Sequence, residues 1–262
     1  MIQFIVTSDM RASYVIEDDM HIAASDVKKI EEITSSVTRD CCFIADLGDC
    51  IDGKASPAES SAALDDIVSC YRQSPTQLHM LMGERSSVVT KQSFLDKTGS
   101  SMRYRAFEFA NYRCIFLDAL SGENGFYIDN EQFDWLSRLL GKSHRTAVIF
   151  SHAPIALTDE SNEANLISNR KLLRELFENS RKVALVISGH SDKGDLVVSR
   201  GVPYITLAPS CVSDGATFAK ISVSSKGVSG EGFGAQESFS VEKNAPVKKN
   251  CTSKFKKLFN KK

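Results

Sequence analysis

No apolar run in this 262-residue chain approaches the roughly 20 residues that span a bilayer, so a membrane-embedded protein is not expected. The sequence opens on the apolar pattern Ile2 to Val6 without a basic leader or a cleavage site, and a secreted protein is not expected either. Cysteine lacks the spacing of its common structural uses. The seven residues are an odd number, and Cys41 and Cys42 stand side by side with no CxxC spacing. That argues for reduced thiols in a cytoplasm-like compartment and against structural zinc held by cysteine. No internal repeat is visible.

Net charge is also scarce, at a formal −1, but the balance hides an asymmetry. Lys243 to Lys262 holds eight lysines and no acidic residue, and removing those charges from −1 leaves −9 on residues 1–242. A body that acidic does not suggest specific nucleic-acid binding, whereas the basic tail can touch any polyanion. With 42% hydrophobic and 25% charged residues the remainder reads as an ordinary globular protein, long enough for one large α/β domain or two small ones. From about Ser225 the composition turns to Gly, Ser, Glu and Lys. A folded domain over residues 1–234 and a flexible basic tail over 235–262 are therefore expected.

Strand and helix patterns alternate along the body. Ile2 to Ser8 reads as a strand and His21 to Val37 as a helix; Cys42 to Asp46 is a strand, and Ser56-Pro57 starts a helix that continues from Ala62 to Tyr71. Leu78 to Met82 is the third strand, broken at Gly83. Such alternation implies parallel pairing through crossovers. After a polar segment around Lys97 to Ser101, Tyr104 to Phe109 and Arg113 to Leu117 read as an antiparallel pair joined at Asn111, so a mixed sheet is expected. Helix Asp129 to Leu140, with Phe133, Trp135, Leu136 and Leu139 as its buried face, leads to strand Thr146 to Phe150. Helix Leu166 to Phe177, strand Val183 to Ile187, strands Leu196 to Ser199 and Tyr204 to Leu207, and strand Thr217 to Val223 complete the pattern.

Five of these strands end in polar loops: Ser8-Asp9-Met10-Arg11, Gly48-Asp49, Gly83-Glu84-Arg85, Ser151-His152 and Gly189-His190-Ser191-Asp192. The carboxyl ends of parallel strands share one edge, where open α/β folds bind ligands, so these loops can converge. Asp, Glu and His gathered in one cleft form a metal-site arrangement, and oxygen and imidazole ligands without thiolate suit Mn, Fe or Zn. The stretch Phe43 to Gly53, FIADLGDCIDG, is the strongest single signal, because it delivers Asp49 from a buried strand through a glycine turn. Taken singly, each residue also has a plain reading. Gly-Asp is a common turn, and His152 and His190 could fill loops.

In this order and spacing, residues 2–224 resemble the calcineurin-like metallophosphoesterases, whose motifs are DxH, GDxxD, GNH followed by Asp or Glu, a lone His after a strand, and GHxH. GDCIDG, then an Ala-rich helix, then LHMLMG, looks most like the manganese-dependent ADP-ribose/CDP-alcohol diphosphatase branch. The resemblance implies an α/β/β/α sandwich with mixed sheets and hydrolysis of a small phosphorylated or nucleotide-diphosphate ligand. It makes Asp49 the carboxylate bridging two metals, places Asp9 on the first metal, and places His152 and His190 on the second.

The departures lie at Arg11, where DxH has histidine, at Glu84 and Arg85, where GNH has asparagine and its catalytic histidine, and at Asp192, where GHxH ends in histidine. A guanidinium cannot ligate a cation, so Arg11 is expected to replace the first metal and to pair with Asp9 and Asp192. One divalent ion is then expected on Asp49, His152 and His190, with Glu84 as an added oxygen ligand. Arg85 can hold phosphate but cannot donate a proton as imidazolium does. Two functions compete: a metal-dependent phosphoester hydrolase of low activity, and a degenerate member that binds a phospho-ligand or a protein. His21, His79 and His144 read as structural. Finally, Phe255, Leu258 and Phe259 at helical spacing among lysines allow the tail to meet an anionic membrane or a partner, with Cys251 open to acylation; a solvated tail is the plain alternative.

Overall fold

Four phenylalanines from four strands meet at the centre of the molecule. Phe4 stacks on Phe43 with ring centroids 4.9 Å apart, and Phe116 stacks on Phe150 at 4.4 Å. Phe150 joins the pairs edge-on, 5.3 Å from Phe4 and 5.9 Å from Phe43. In the computed structural model, which describes residues 1–123, 125–142 and 144–243, these rings fill the space between two six-stranded sheets. The first sheet has the spatial order β16 (Phe239–Glu242), β15 (Gly227–Phe233), β14 (Phe218–Val223), β1 (Ile2–Thr7), β4 (Cys41–Asp46), β5 (Gln77–Met80). The second has the order β12 (Asp195–Ser199), β13 (Val202–Thr206), β11 (Val183–Ser188), β10 (Thr146–Ser151), β7 (Tyr112–Phe116), β6 (Arg105–Phe109).

The near-continuous apolar strands follow from burial on both faces. In β1, Ile2, Phe4 and Val6 point to the inter-sheet core while Ile5 points to the outer layer. In β10, Val148 and Phe150 face inward and Ala147 and Ile149 face outward. The outer layer of the first sheet is α1 (Ala24–Ser35), α2 (Pro57–Tyr71) and α3 (Lys91–Thr98); that of the second is α4 (Asn130–Lys142) and α5 (Arg170–Ser180). The result is the expected α/β/β/α sandwich with mixed sheets. β1, β4 and β5 are parallel, as are β7, β10, β11 and β13. Their carboxyl ends put both sets of strand exits on one rim.

Local chemistry sets the element ends. Ser56 accepts from the Glu59 N–H while Glu59 reaches back to the Ser56 N–H, so α2 starts on a full capping box with Pro57 in its first turn. The expected helix from His21 starts later, at Ala24. A short ribbon, β2 (Tyr14–Glu17) and β3 (Met20–Ile22), precedes it, because Asp66 accepts from both the backbone N–H and the ring of His21. Likewise α5 starts at Arg170 rather than Leu166. The Ser168 N–H donates to Phe126 and the Asn169 side chain bonds both backbone groups of Ile128, which ties that stretch to the neighbouring strand and keeps it out of the helix. The polar segment expected around Lys97 contains the end of α3, capped by Thr90 and by left-handed Gly99. On α4 the fully buried residues are Gln132, Leu136 and Leu140, while Phe133, Trp135 and Leu139 pack half-buried beside them.

The first sheet also continues past Gly234, where composition suggested the domain ends, through β16 to Glu242. The glycine content of this ribbon reflects close packing rather than looseness. A Cβ on Gly230 would lie 2.3 Å from the Phe239 ring, so only glycine lets that aromatic cover the strand. The tail residues Cys251, Phe255, Leu258 and Phe259 lie outside the described residues. Among those described, no helix is long and apolar enough to cross a membrane, and the six cysteines are free thiols.

Candidate metal centre

The rim is assembled by backbone hydrogen bonds between strand exits. Leu47 N–H donates to Thr7, Asp9 N–H to Gly48 and Arg11 N–H to Asp49, at 2.9 to 3.0 Å, which binds the β1 and β4 loops side by side. Gly189 N–H donates to His152 at 2.9 Å and couples the β11 and β10 exits. Asp9, Arg11, Asp49 and His190 all adopt left-handed backbone, with φ of 56°, 53°, 54° and 64°. Each such turn costs about 1 kcal/mol or more for an L-residue and persists only where surroundings enforce it. Gly48, at φ 112°, leaves no room for a side chain, since a Cβ would meet His152 Nδ1 and Gly83 N at 2.8 Å.

These turns bring ligand atoms of Asp9, Asp49, His152 and His190 within 4.8 Å of one another. Three of the residues are buried and His190 is half-buried. His152 Nδ1 lies 2.9 Å from the Leu47 carbonyl, which can only accept, so the ring donates there and turns Nε2 toward the cluster. His190 Nδ1 sits 3.2 Å from that Nε2. Asp49 Oδ1 accepts from Arg85 N–H at 2.8 Å and Ser86 N–H at 3.4 Å. Asp49 Oδ2 is buried and accepts no hydrogen bond, with His152 Nε2 at 3.5 Å and Arg85 Nε at 3.9 Å.

Asp9 is differently placed. Its Oδ2 accepts from the Ser8 hydroxyl at 2.6 Å and His190 N–H at 2.8 Å, and its Oδ1 pairs with Arg11 Nη2 at 3.0 Å. Burial pushes its carboxyl up, but His152, Ser8, the His190 N–H and Arg11 together hold it below the usual carboxylate value. Burial keeps the Asp49 carboxyl above that value, against the pull of His152. His190 is brought down to about 4 by burial and by repulsion from His152, so its ring is uncharged at neutral pH, the form that ligates a metal.

The residues fit a divalent ion. An unpartnered buried carboxylate oxygen faces two imidazole nitrogens held close together, a hard and borderline donor set without thiolate. Of the expected ligands, Asp9, Asp49, His152 and His190 converge, and Arg11 and Arg85 flank them. Glu84 and Asp192 do not join. Both are exposed, and Arg11 pairs with Asp9 but not with Asp192. Glu84 enters a 3-10 turn at φ −68°, ψ −39°, and it is the following N–H groups of Arg85 and Ser86 that face Asp49. The Leu47 carbonyl and Phe126, which touch the two imidazoles, are parts of the site that no sequence motif marked.

The four-layer α/β/β/α sandwich is a fold shared with solved structures. A dimetal phosphatase from Danio rerio superposes with TM-score 0.78 at 17% identity, covering 92% of this chain and 99% of that one. GAP50, the anchor in the inner membrane complex of Plasmodium, gives 0.61 at 14% identity over 95% and 91%. A putative 5'-nucleotidase from Staphylococcus aureus gives 0.54 at 14% identity, over 93% of this chain and 55% of that one. No protein-family model and no curated protein matches the sequence.

Proposed function

We propose that the protein is a metal-dependent phosphoester hydrolase built around one divalent ion, with Arg11 standing as the second fixed cation. The observation that carries this reading is the contrast between the two carboxylates. Both oxygens of Asp9 are already engaged, one of them by Arg11, whereas Asp49 Oδ2 is buried, unpartnered and turned toward His152. Asp49, His152 and His190 would hold the ion, and Mn, Fe or Zn matches their chemistry. When bound, the ion supplies Lewis-acid polarisation of a phosphoryl oxygen and activation of water.

The chain's own groups do the rest. Arg85, with its side chain 38% exposed, and Arg11 present guanidinium donors for phosphate oxygens on the same rim. Neither can hand a proton to a leaving group, so turnover is slow and favours esters whose alcohol leaves as an anion. Metal analysis of the purified protein together with an aryl phosphodiester assay in manganese tests this. One ion per chain and turnover abolished by Asp49→Ala support it; turnover that survives Asp49→Ala overturns it.

The second reading is a binding module without turnover, favoured by the Arg11–Asp9 pair, which neutralises a carboxylate on the rim. A protein of this fold described as an anchor is a precedent for such use. Absence of any bound divalent ion, with phosphate binding retained, would select it. The ligand in either case is a small phosphorylated molecule of the nucleotide-diphosphate type, and the basic tail is the candidate contact for an anionic membrane or a protein.

A further inference from the structure

The two imidazoles of the centre are fixed by different means. His152 has the usual support, its far nitrogen donating to a backbone carbonyl. His190 has its backbone held, through its N–H to Asp9, but among the described residues its Nε2 has no hydrogen-bond partner. The ring's one hydrogen bond among these residues is within the pair, from Nδ1 to His152 Nε2 at 3.2 Å, so its outer side is held by packing alone. The residue against it is Phe126, with ring centroids 4.6 Å apart and planes at 72°, an edge-to-face contact. Phe126 also lies 5.8 Å from the His152 ring at 70°, and the two imidazoles are 5.0 Å apart at 70°. Three rings thus lock one another at near right angles.

Phe126 is itself anchored. It sits on a hairpin of β8 (Leu120–Gly122) and β9 (Gly125–Tyr127) that follows β7, and it is 2% exposed. Its carbonyl accepts from Ser168 N–H at 2.7 Å, and it forms an isolated bridge with Ile167, so the hairpin is clasped by the segment leading into α5. We propose that Phe126 is a positioning residue of the metal centre, orienting the His190 ring by edge-to-face packing in place of a hydrogen bond to its far nitrogen. This rests on the reading of Asp49, His152 and His190 as an ion site, but the orienting contact exists without the ion.

The test uses the full chain as wild type, Phe126→Ala, Phe126→Leu and Phe126→Tyr. In crystals of the ion-free proteins the His190 ring should keep one orientation in wild type and Phe126→Tyr and rotate or split in Phe126→Ala. An unmoved, ordered ring in the alanine variant overturns the proposal, whatever the ion does. Cobalt titration followed by visible absorption should show affinity falling by on the order of 10-fold in Phe126→Ala, as for loss of other groups that orient a ligand. Phe126→Tyr should stay near wild type. Phe126→Leu separates ring-edge contact from mere filling of space: affinity lowered as in alanine supports the proposal, and full rescue by leucine overturns it. Wild type that binds no cobalt sinks the ion reading, while the crystals still decide on Phe126.

Discussion

Asp9 and Arg11, two positions apart in the chain and both in left-handed backbone, meet through their side chains at 3.0 Å on the rim that also holds Asp49. The Asp9 side chain is fully buried and that of Arg11 is 20% exposed, so the pair places a permanent positive charge inside the centre. Removing one partner of such a pair leaves an uncompensated charge, with a cost of about 3 kcal/mol. Arg11→Ala is expected to lose that much in urea denaturation of the ion-free protein, and a divalent ion should restore part of it. Arg11→His is expected to raise the ion count from one to two per chain by elemental analysis. A count that stays at one removes Arg11 from the role of a cation substitute.

Asp49 combines its proposed role as an ion ligand with a local penalty. Its Oδ2 is buried without a hydrogen bond, and leaving a buried acceptor unsatisfied costs about 1 to 3 kcal/mol. Asp49→Asn is therefore expected to weaken ion binding by at least 100-fold in calorimetric titration, the upper end for disturbing a ligand shell. In ion-free protein the same change should raise stability by about 1 kcal/mol, because the buried carboxylate oxygen that accepts no hydrogen bond is removed. Loss of both stability and binding would mean that Asp49 is an architectural residue.

Asp46 is wholly buried one turn before Asp49, accepting from Gly48 N–H at 2.9 Å and lying 3.5 Å from the Tyr71 hydroxyl. Burial raises its carboxyl to about 7. The folded protein then holds a proton that the unfolded chain has released, between the ordinary carboxylate value and about pH 7. Stability accordingly falls as pH rises through that window, by on the order of 4 kcal/mol from this group alone. Asp46→Asn in ion-free protein should flatten the decline, as measured by melts from pH 4 to 8. An unchanged profile would show that Asp46 is ionised in the fold.

His79 works in the opposite sense. Its ring stacks on Phe107 at 4.4 Å, its Nε2 is buried without a partner, and burial brings it down to about 4. The unfolded chain takes up a proton near 6.5 that the folded chain refuses. Stability is lost as pH falls from 6.5 toward 4, by on the order of 2 kcal/mol. His79→Phe should remove that loss and leave the neutral-pH melting temperature unchanged or higher. A variant that still loses stability over this interval would assign the effect elsewhere.

Residues whose role depends on strand exits were legible in the sequence, because strand direction alone sends Asp9, Asp49, His152 and His190 to the same edge. Glu84 and Asp192 sit one and two positions from residues that do face the centre, yet each is exposed. Motif spacing fixes where a loop goes but not which way each side chain turns within it. At Glu84 a helical backbone rotates the carboxylate outward and leaves amide hydrogens to face Asp49. Composition misled at β15 and β16 for a related reason. Glycine reads as flexibility until the aromatic that needs the space, Phe239, is seen lying on it. His190 shows the other limit, since its orienting neighbour is 64 positions earlier in a hairpin and carries no polar signature.

A guanidinium tethered at Arg11 cannot be stripped by a chelator or diluted away. Under the proposed function, a fall in the supply of divalent ions would leave the rim its covalently bound cation, and with it a charge for an anion to meet, where a centre depending on ions alone would be left with none.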